Sequence, residues 1–220
     1  SLAVIGPGQT KSVYIDVLDF EGSKTRAFAI LGVPATASSD APVPGVVLVH
    51  GGGGTAYSDW VEKWVERGYA AIAIAVEGQT DSEATADEQA SGNAVGPWKT
   101  HTMSGPVRTG AYGDSDNALV DQWIYHATAN TVLANSLLRS LPEVDESRVG
   151  VMGISWGAVV AATAIGVDSR FAFAVPVYGA GRKYDMANYF SVALGTNSLY
   201  RHVWDPWLRM GSVGMPSLWM

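Results

Sequence analysis

Residues 148–166, RVGVMGISWGAVVAATAIG, constrain this chain more than any other stretch. They open as an apolar run rich in β-branched residues, pass through Gly153-Ile154-Ser155-Trp156-Gly157, and continue as the small apolar series Ala158-Val159-Val160-Ala161-Ala162. A strand and a helix can be joined by so short a turn only where their close approach is free of side chains, and glycine two residues either side of the serine supplies that. The serine is then held in a strained backbone conformation that lifts its Oγ out of the sheet. The following amide, that of Trp156, falls at a helix N-terminus, where it can donate to a developing negative charge. With 25 glycines in 220 residues the string G-x-S-x-G alone is weak, and the strand before it and helix after it give it weight.

A second feature supports the first. At 46–54, VVLVHGGGG, an apolar strand runs into His50 and four glycines. An H-G-G-G loop upstream of the serine is the pattern that supplies a further backbone donor to a tetrahedral oxyanion. The two motifs together predict a serine hydrolase site with Ser155 as nucleophile.

Composition removes other classes. A net charge of −7, with no cluster of Lys or Arg, argues against nucleic-acid binding. The absence of cysteine excludes disulfides, cysteine zinc sites and thiol catalysis. No apolar run approaches the ~18 residues of a membrane span, so a soluble protein is expected, its compartment open and a leader already removed if it is exported. The length and a 47% hydrophobic content suit one α/β domain over 1–220.

Taken in order, residues 1–10 read as a lead-in. Residues 12–20 and 25–33 alternate as a hairpin around Glu21-Gly22-Ser23. Residues 45–50 form a strand buried on both faces, followed by a helix capped by Asp59 with Glu62, presenting Trp60, Val61, Trp64 and Val65, and ended by Gly68. Residues 69–76 are the next strand, completing a βαβ unit and implying a parallel sheet. Residues 78–114 are polar and without clear period, a long loop or lid holding Trp98, His101 and Arg108. A helix is expected from 115 or 116 to 140, with Leu119, Trp123, Ala127, Leu133, Leu137 and Leu138 on its stripe and His126 as a structural histidine. After the elbow, 171–178 reads as a strand with Pro176 awkward inside it. Residues 179–181 read as a loop, 184–194 as a helix, 203–208 as loop-like and 215–220 as the start of one more strand.

The runs PGVVLVHGGGGTAYSDWVEKWVERGYAAIAIAVEG and DQWIYHATANTVLANSLLRSLPEVDESRVGVMGISWG resemble the α/β-hydrolase superfamily, in its dienelactone-hydrolase and acetylxylan-esterase-like branch. The resemblance covers the chain from about residue 12 onward. It implies a doubly wound, mostly parallel sheet, Ser155 as nucleophile, and oxyanion donors from the amides of Trp156 and of Gly52 or Gly53. It implies hydrolysis of small acyl esters, among them carbohydrate acetyl esters, with no cofactor. A peptidase of the prolyl-oligopeptidase kind shares the mechanism. The superfamily also needs an acid and then a histidine after the serine. The resemblance puts both beyond Met220, so the expectation is a chain lacking the C-terminal strand and helix, with a following segment or a second chain supplying them. Within the chain, Asp185 and His202 are the candidates in the correct order. Asp205 is a further acid, but it follows His202. His50 belongs to the glycine loop.

Two other functions compete. Gly51-x-Gly53-x-x-Ala56 fits a dinucleotide fingerprint, with Glu77 ending the next strand where a ribose-binding acid would sit, which points to an NAD(P)-dependent oxidoreductase. Two strands before the loop, His50 and the elbow count against it. The other is a hydrolase-like module that is inactive for want of a histidine. Tyr57, Trp98 and Trp156 are candidates for an apolar pocket.

Overall fold

A computed structural model describes residues 6–179 and 181–220. The lead-in expected over 1–10 therefore lies outside the described residues as far as residue 5, as does Ala180 of the 179–181 loop. β1 (Thr10–Asp16) and β2 (Arg26–Gly32) form the expected antiparallel hairpin. β3 (Val43–Val49), α1 (Ser58–Glu66) and β4 (Ala70–Ile74) form the βαβ unit, with β3 and β4 parallel. Gly68 follows α1 at φ +83°, a value at which glycine avoids the Cβ penalty, and its N–H returns to the Val65 carbonyl. The expected cap is not made: α1 starts at Ser58 with Tyr57 before it, and Asp59, inside the first turn, pairs with Lys63 at 3.1 Å.

Residues 78–114 are not structureless. β5 (Gln79–Glu83), α2 (Ala86–Ala90), β6 (Ala94–Val95) and β7 (Trp98–Thr100) make a small antiparallel sheet with one helical turn on it, and Thr85 and Glu88 close a capping box. These strands are two to five residues long and fully bury only Gln79, so they leave no period-2 hydrophobic signal. The next helix, α3 (Trp123–Arg139), begins later than expected. Asp114 accepts the Trp123 N–H at 2.5 Å, and Leu119–Asp121 forms a separate 3-10 turn with Leu119 exposed.

β8 (Val144–Ile154), α4 (Trp156–Ile165) and β9 (Ala174–Val177) complete a six-stranded sheet in the order β1-β2-β4-β3-β8-β9, parallel from β4 to β9. Pro176 fits because its nitrogen faces away from β8, toward residues 216–220. Those residues run parallel to β9: Leu218 and Met220 donate to the carbonyls of Ala174 and Pro176, and Tyr178 donates to Met220. The expected last strand is thus paired, with one rung missing at the proline. Between them, Lys183–Asp185 is a 3-10 turn and α5 (Tyr189–Leu194) a short helix capped by Asn188, in place of one helix over 184–194. Residues 203–208 are not loop-like. α6 (Ser198–Val203) is followed by a 3-10 segment, Pro206–Ser212, which Asp205 caps by accepting the Trp207 N–H.

Alternation along the central strands sorts the core into two layers. Val47, Val49, Ile72, Ile74, Val149 and Val151 pack with α3 and α4, whose contacting residues include Ala127, Ala134, Ala161 and Ala164. Val46, Leu48, Ala71 and Ala73 pack with α1, whose contributions are the bulky Trp60, Trp64 and Val65 with Val61. Large residues thus face small ones on both sides, which is how a sheet buried on two faces reaches close packing. Ile72 is fully buried on β4. Replacing it with alanine should lower the unfolding free energy by about 2–5 kcal/mol, read from urea denaturation with an unchanged m-value.

Candidate active site

Ser155 joins β8 to α4 with φ 55° and ψ −119°, a conformation that costs a non-glycine residue of order 1–3 kcal/mol. Packing enforces it. A Cβ on Gly153 would stand 2.1 Å from the Gly157 carbonyl oxygen, and one on Gly157 would stand 2.2 Å from the Val49 carbonyl oxygen. Neither strand nor helix can move off, because the Ser155 N–H is bonded to Val177 at 2.7 Å while its carbonyl accepts from Ala158 and Val159. The result is a Ser155 exposed at the sheet's end, beside Gly51, where a Cβ would lie 3.2 Å from that of the serine. Ser155 Oγ has no hydrogen-bond partner among the described residues.

The glycine loop is held from beneath. His50 is buried; its Nε2 accepts the Val76 N–H at 3.0 Å, so Nδ1 carries the proton and donates to the Gly51 carbonyl at 2.6 Å. Burial pushes its pKa below the ordinary imidazole range, which keeps the ring neutral. Gly53, at φ +73°, donates its N–H to Glu77 Oε2 at 2.8 Å. Glu77 is 1% exposed and also accepts from Gln79 Nε2 at 3.0 Å and Arg108 Nε at 2.7 Å.

Two expectations are corrected by these contacts. The Gly53 amide is already bonded to Glu77, so of the two expected loop donors it leaves Gly52. The Gly52 and Trp156 amides have no acceptor among the described residues. Nor does the acid of the dinucleotide fingerprint stand free. The acid that would meet a ribose, Glu77, is buried, with three donors already on its two oxygens.

Asp185 and His202 are not brought together. Asp185 Oδ2 accepts from Arg182 Nε at 2.7 Å, and His202, exposed on α6, donates through Nδ1 to the Ser198 carbonyl at 2.7 Å. Asp205 is 1% exposed and takes the backbone N–H groups of Arg182 and Trp207. His126 is the structural histidine expected of it, buried and donating through Nε2 to Val120 at 2.8 Å. His101 packs edge-on against Tyr14 with ring centroids 5.1 Å apart. Among the described residues no histidine is hydrogen-bonded to Ser155.

A cleft of about 240 Å³ lies alongside the loop, lined by the four glycines 51–54 with Tyr57, Trp60 and Ile154. Tyr57 packs on Trp60 at 4.9 Å and on Trp98 at 5.9 Å between centroids. The small sheet reaches this place because Gly96 lies against Gly53: a Cβ there would be 2.6 Å from the Gly53 carbonyl oxygen. Trp156, expected with Tyr57 and Trp98, is instead buried against Tyr112, Trp123 and Phe190. Trp60 was legible only as a helix-face residue, and Arg108 carried no sequence signal beyond its place in the long segment.

The sequence model of the family described as Acetyl xylan esterase (AXE1) matches residues 8–197. No curated protein matches the chain. Among solved structures, the chain is similar to acetyl xylan esterase 1 from Thermoanaerobacterium sp. at 17% identity and a TM-score of 0.70, over 100% of this chain and 69% of that one. It is similar to an acetyl xylan esterase from Paenibacillus sp. at 18% identity and a TM-score of 0.65, over 97% of this chain and 73% of the other. An acylaminoacyl peptidase from Pyrococcus horikoshii matches at 14% identity and a TM-score of 0.64, over 96% of this chain and 31% of its own. At such identities the likeness is one of fold, and the fold is the α/β-hydrolase fold that the sequence led us to expect.

The steric argument at the elbow predicts that Gly157→Ala costs at least about 3 kcal/mol by urea unfolding, the upper range for overpacking, because the obstructing atoms are backbone. His50 gives a pH dependence. Its folded pKa is lowered, so the unfolded chain takes up a proton near pH 6.5 that the folded chain refuses. Its contribution is therefore complete above about pH 6.5 and is lost as pH falls below it. In His50→Gln, stability measured from pH 7 to 5 should decline less steeply, by at most about 1.4 kcal/mol per pH unit. His101 and His126, also lowered by burial, should sustain the remaining slope.

Proposed function

The chain belongs to the acetyl xylan esterase family, and from that premise we propose that it is a serine esterase that removes acetyl groups from carbohydrate through an acetyl-enzyme at Ser155. Ser155 Oγ attacks the ester carbonyl, the tetrahedral oxyanion is held by the Gly52 and Trp156 amides, and the sugar hydroxyl leaves with the proton taken from Oγ. Water then adds to the acetyl-enzyme by the reverse arrangement, releasing acetate and the free serine. The observation that carries this is the conformation of Ser155 at φ 55°, held beside a glycine loop in a chain of this family.

The proton needs a base, and the described residues bring none to Ser155. We place the acid and the histidine on a segment following residue 220 or on a second chain. The solved esterases, of which this chain covers 69% and 73%, have more length than it does. Alone, the 220-residue chain is expected to be weakly active or inactive, the residual rate coming from the oxyanion donors and binding.

The test pairs intact-mass spectrometry with esterase assays. Ser155→Ala should lower hydrolysis of 4-nitrophenyl acetate and acetylated xylan by about 10³-fold or more in protein that includes the missing acid and base, and should abolish the single adduct formed with a fluorophosphonate. Activity and adduct formation that survive Ser155→Ala would overturn the assignment. No adduct on wild-type chain alone, and a single one once the additional segment is present, would fix the source of the base.

A further inference from the structure

Arg108 lies where the two halves of the oxyanion site meet. Its Nε is paired with Glu77 at 2.7 Å, and its Nη1 donates to the Gly110 carbonyl. Its guanidinium carbon is 5.1 Å from the Trp156 ring centroid and 5.8 Å from that of Trp123. Its Nη2 sits against Gly52, 2.4 Å from where a Cβ would stand, and the Trp156 indole meets the same position at 2.9 Å. One side chain therefore touches the glycine that offers the loop donor and the ring of the residue that offers the elbow donor. Its ion-pair partner, Glu77, accepts the N–H of Gly53, the next residue of the loop.

Loop and elbow pack closely, but among the described residues no backbone hydrogen bond joins 51–54 to 155–157, and Gly52 has no side chain with which to anchor itself. Glu77 cannot drift. Its backbone N–H is bonded to Gln79 Oε1 at 2.9 Å, and Gln79 Nε2 returns to the carboxylate. The preceding residue, Val76, is held by His50 through its N–H and by Trp123 Nε1 through its carbonyl at 2.7 Å. A planar guanidinium can pair with a carboxylate in its plane while stacking on aromatic rings above it, and an ammonium cannot do both.

We propose that the Glu77–Arg108 ion pair is the positioning device of the oxyanion site, setting the Gly52 amide of the loop against the Trp156 amide of the elbow. This rests on the serine-esterase function proposed above. Neither residue touches the reacting atoms. They act through the two backbone donors, whose misplacement by about 1 Å can cost about 100-fold in rate.

The experiment compares wild type with Arg108→Lys and Glu77→Gln in two readouts. One, in protein that includes the acid and base, is the rate of Ser155 phosphonylation by a fluorophosphonate together with kcat and KM on 4-nitrophenyl acetate. The other is hydrogen exchange of the Gly52 and Gly53 amides in glycine-15N-labelled protein, which needs no activity. We expect phosphonylation and kcat to fall about 10- to 100-fold with KM nearly unchanged. Gly53 protection should fall at least about tenfold in Glu77→Gln, through the lost carboxylate acceptor. Arg108→Lys keeps the charge, so its melting temperature should stay near that of wild type while its rate still falls, a split that a purely structural pair would not give. Wild-type rates and unchanged Gly53 protection in folded variants would overturn the proposal. If Ser155→Ala instead leaves activity intact, the nucleophile is misassigned, and the glycine exchange still decides whether the ion pair holds the loop.

Discussion

The geometry of this molecule turns on three backbone segments meeting with no side chain between them. β3, β8 and the first turn of α4 converge so closely that the Gly157 α-carbon lies against the carbonyls of Val49 and His50, and Gly153 against Gly157 itself. That convergence holds Ser155 in a conformation it would not adopt alone, and the strain is offset by the burial of an α4 that is inaccessible along its whole length. The same contact ties Ser155 to the glycine loop, because the loop is simply what β3 becomes after Val49. Site geometry is therefore inherited from the sheet, and a change in the β3–β8 register would dismantle both.

Beneath the loop, electrostatics does what sterics cannot. A buried carboxylate is costly unless its oxygens are fully bonded and a cation stands beside it, and Glu77 meets both conditions. Such a network contributes less to net stability than to definition of one arrangement: an apolar substitute would pack, but it would leave the Gly53 amide without an acceptor. His50 follows the same logic. Its ring bridges Val76 and Gly51 only in one neutral tautomer, so it serves the loop as a fixed donor and acceptor and is unavailable for proton transfer.

What could be read from the residues alone followed the strength of the periodic signal. The hairpin, the βαβ unit, the elbow and the glycine loop were legible because buried strands and a glycine-flanked serine leave patterns that few other structures produce. The small sheet of β5–β7 was not, since Gln79–Glu83 carries no apolar residue and its one buried side chain, Gln79, is polar. Helix ends failed where tertiary contacts decide them: Asp114 sets the start of α3 from nine residues upstream, and nothing local to Trp123 announces it. The roles of Glu77 and Arg108 were hidden for the same reason, as they lie 31 residues apart and become neighbours only in the fold. The Asp205-Pro206 pair was a readable helix start, and the aromatic residues around it obscured it.

A nucleophile elbow is often treated as if it were an active site, but its two contributions are separable. Shape comes from the sheet: the raised serine, the amides of Gly52 and Trp156, and the cleft beside Tyr57 and Trp60 are all present in the described residues. Proton transfer is a different resource, and each of the four histidines is engaged elsewhere, in the loop floor, in the α3 core, against Tyr14, or along α6. Preorganised backbone donors do not need the base for their own placement, so under the function proposed above the shape of the site and its proton transfer are separable. Under that proposal the histidine and its orienting acid have little left to arrange. They need only reach the exposed face of Ser155, which the fold already presents.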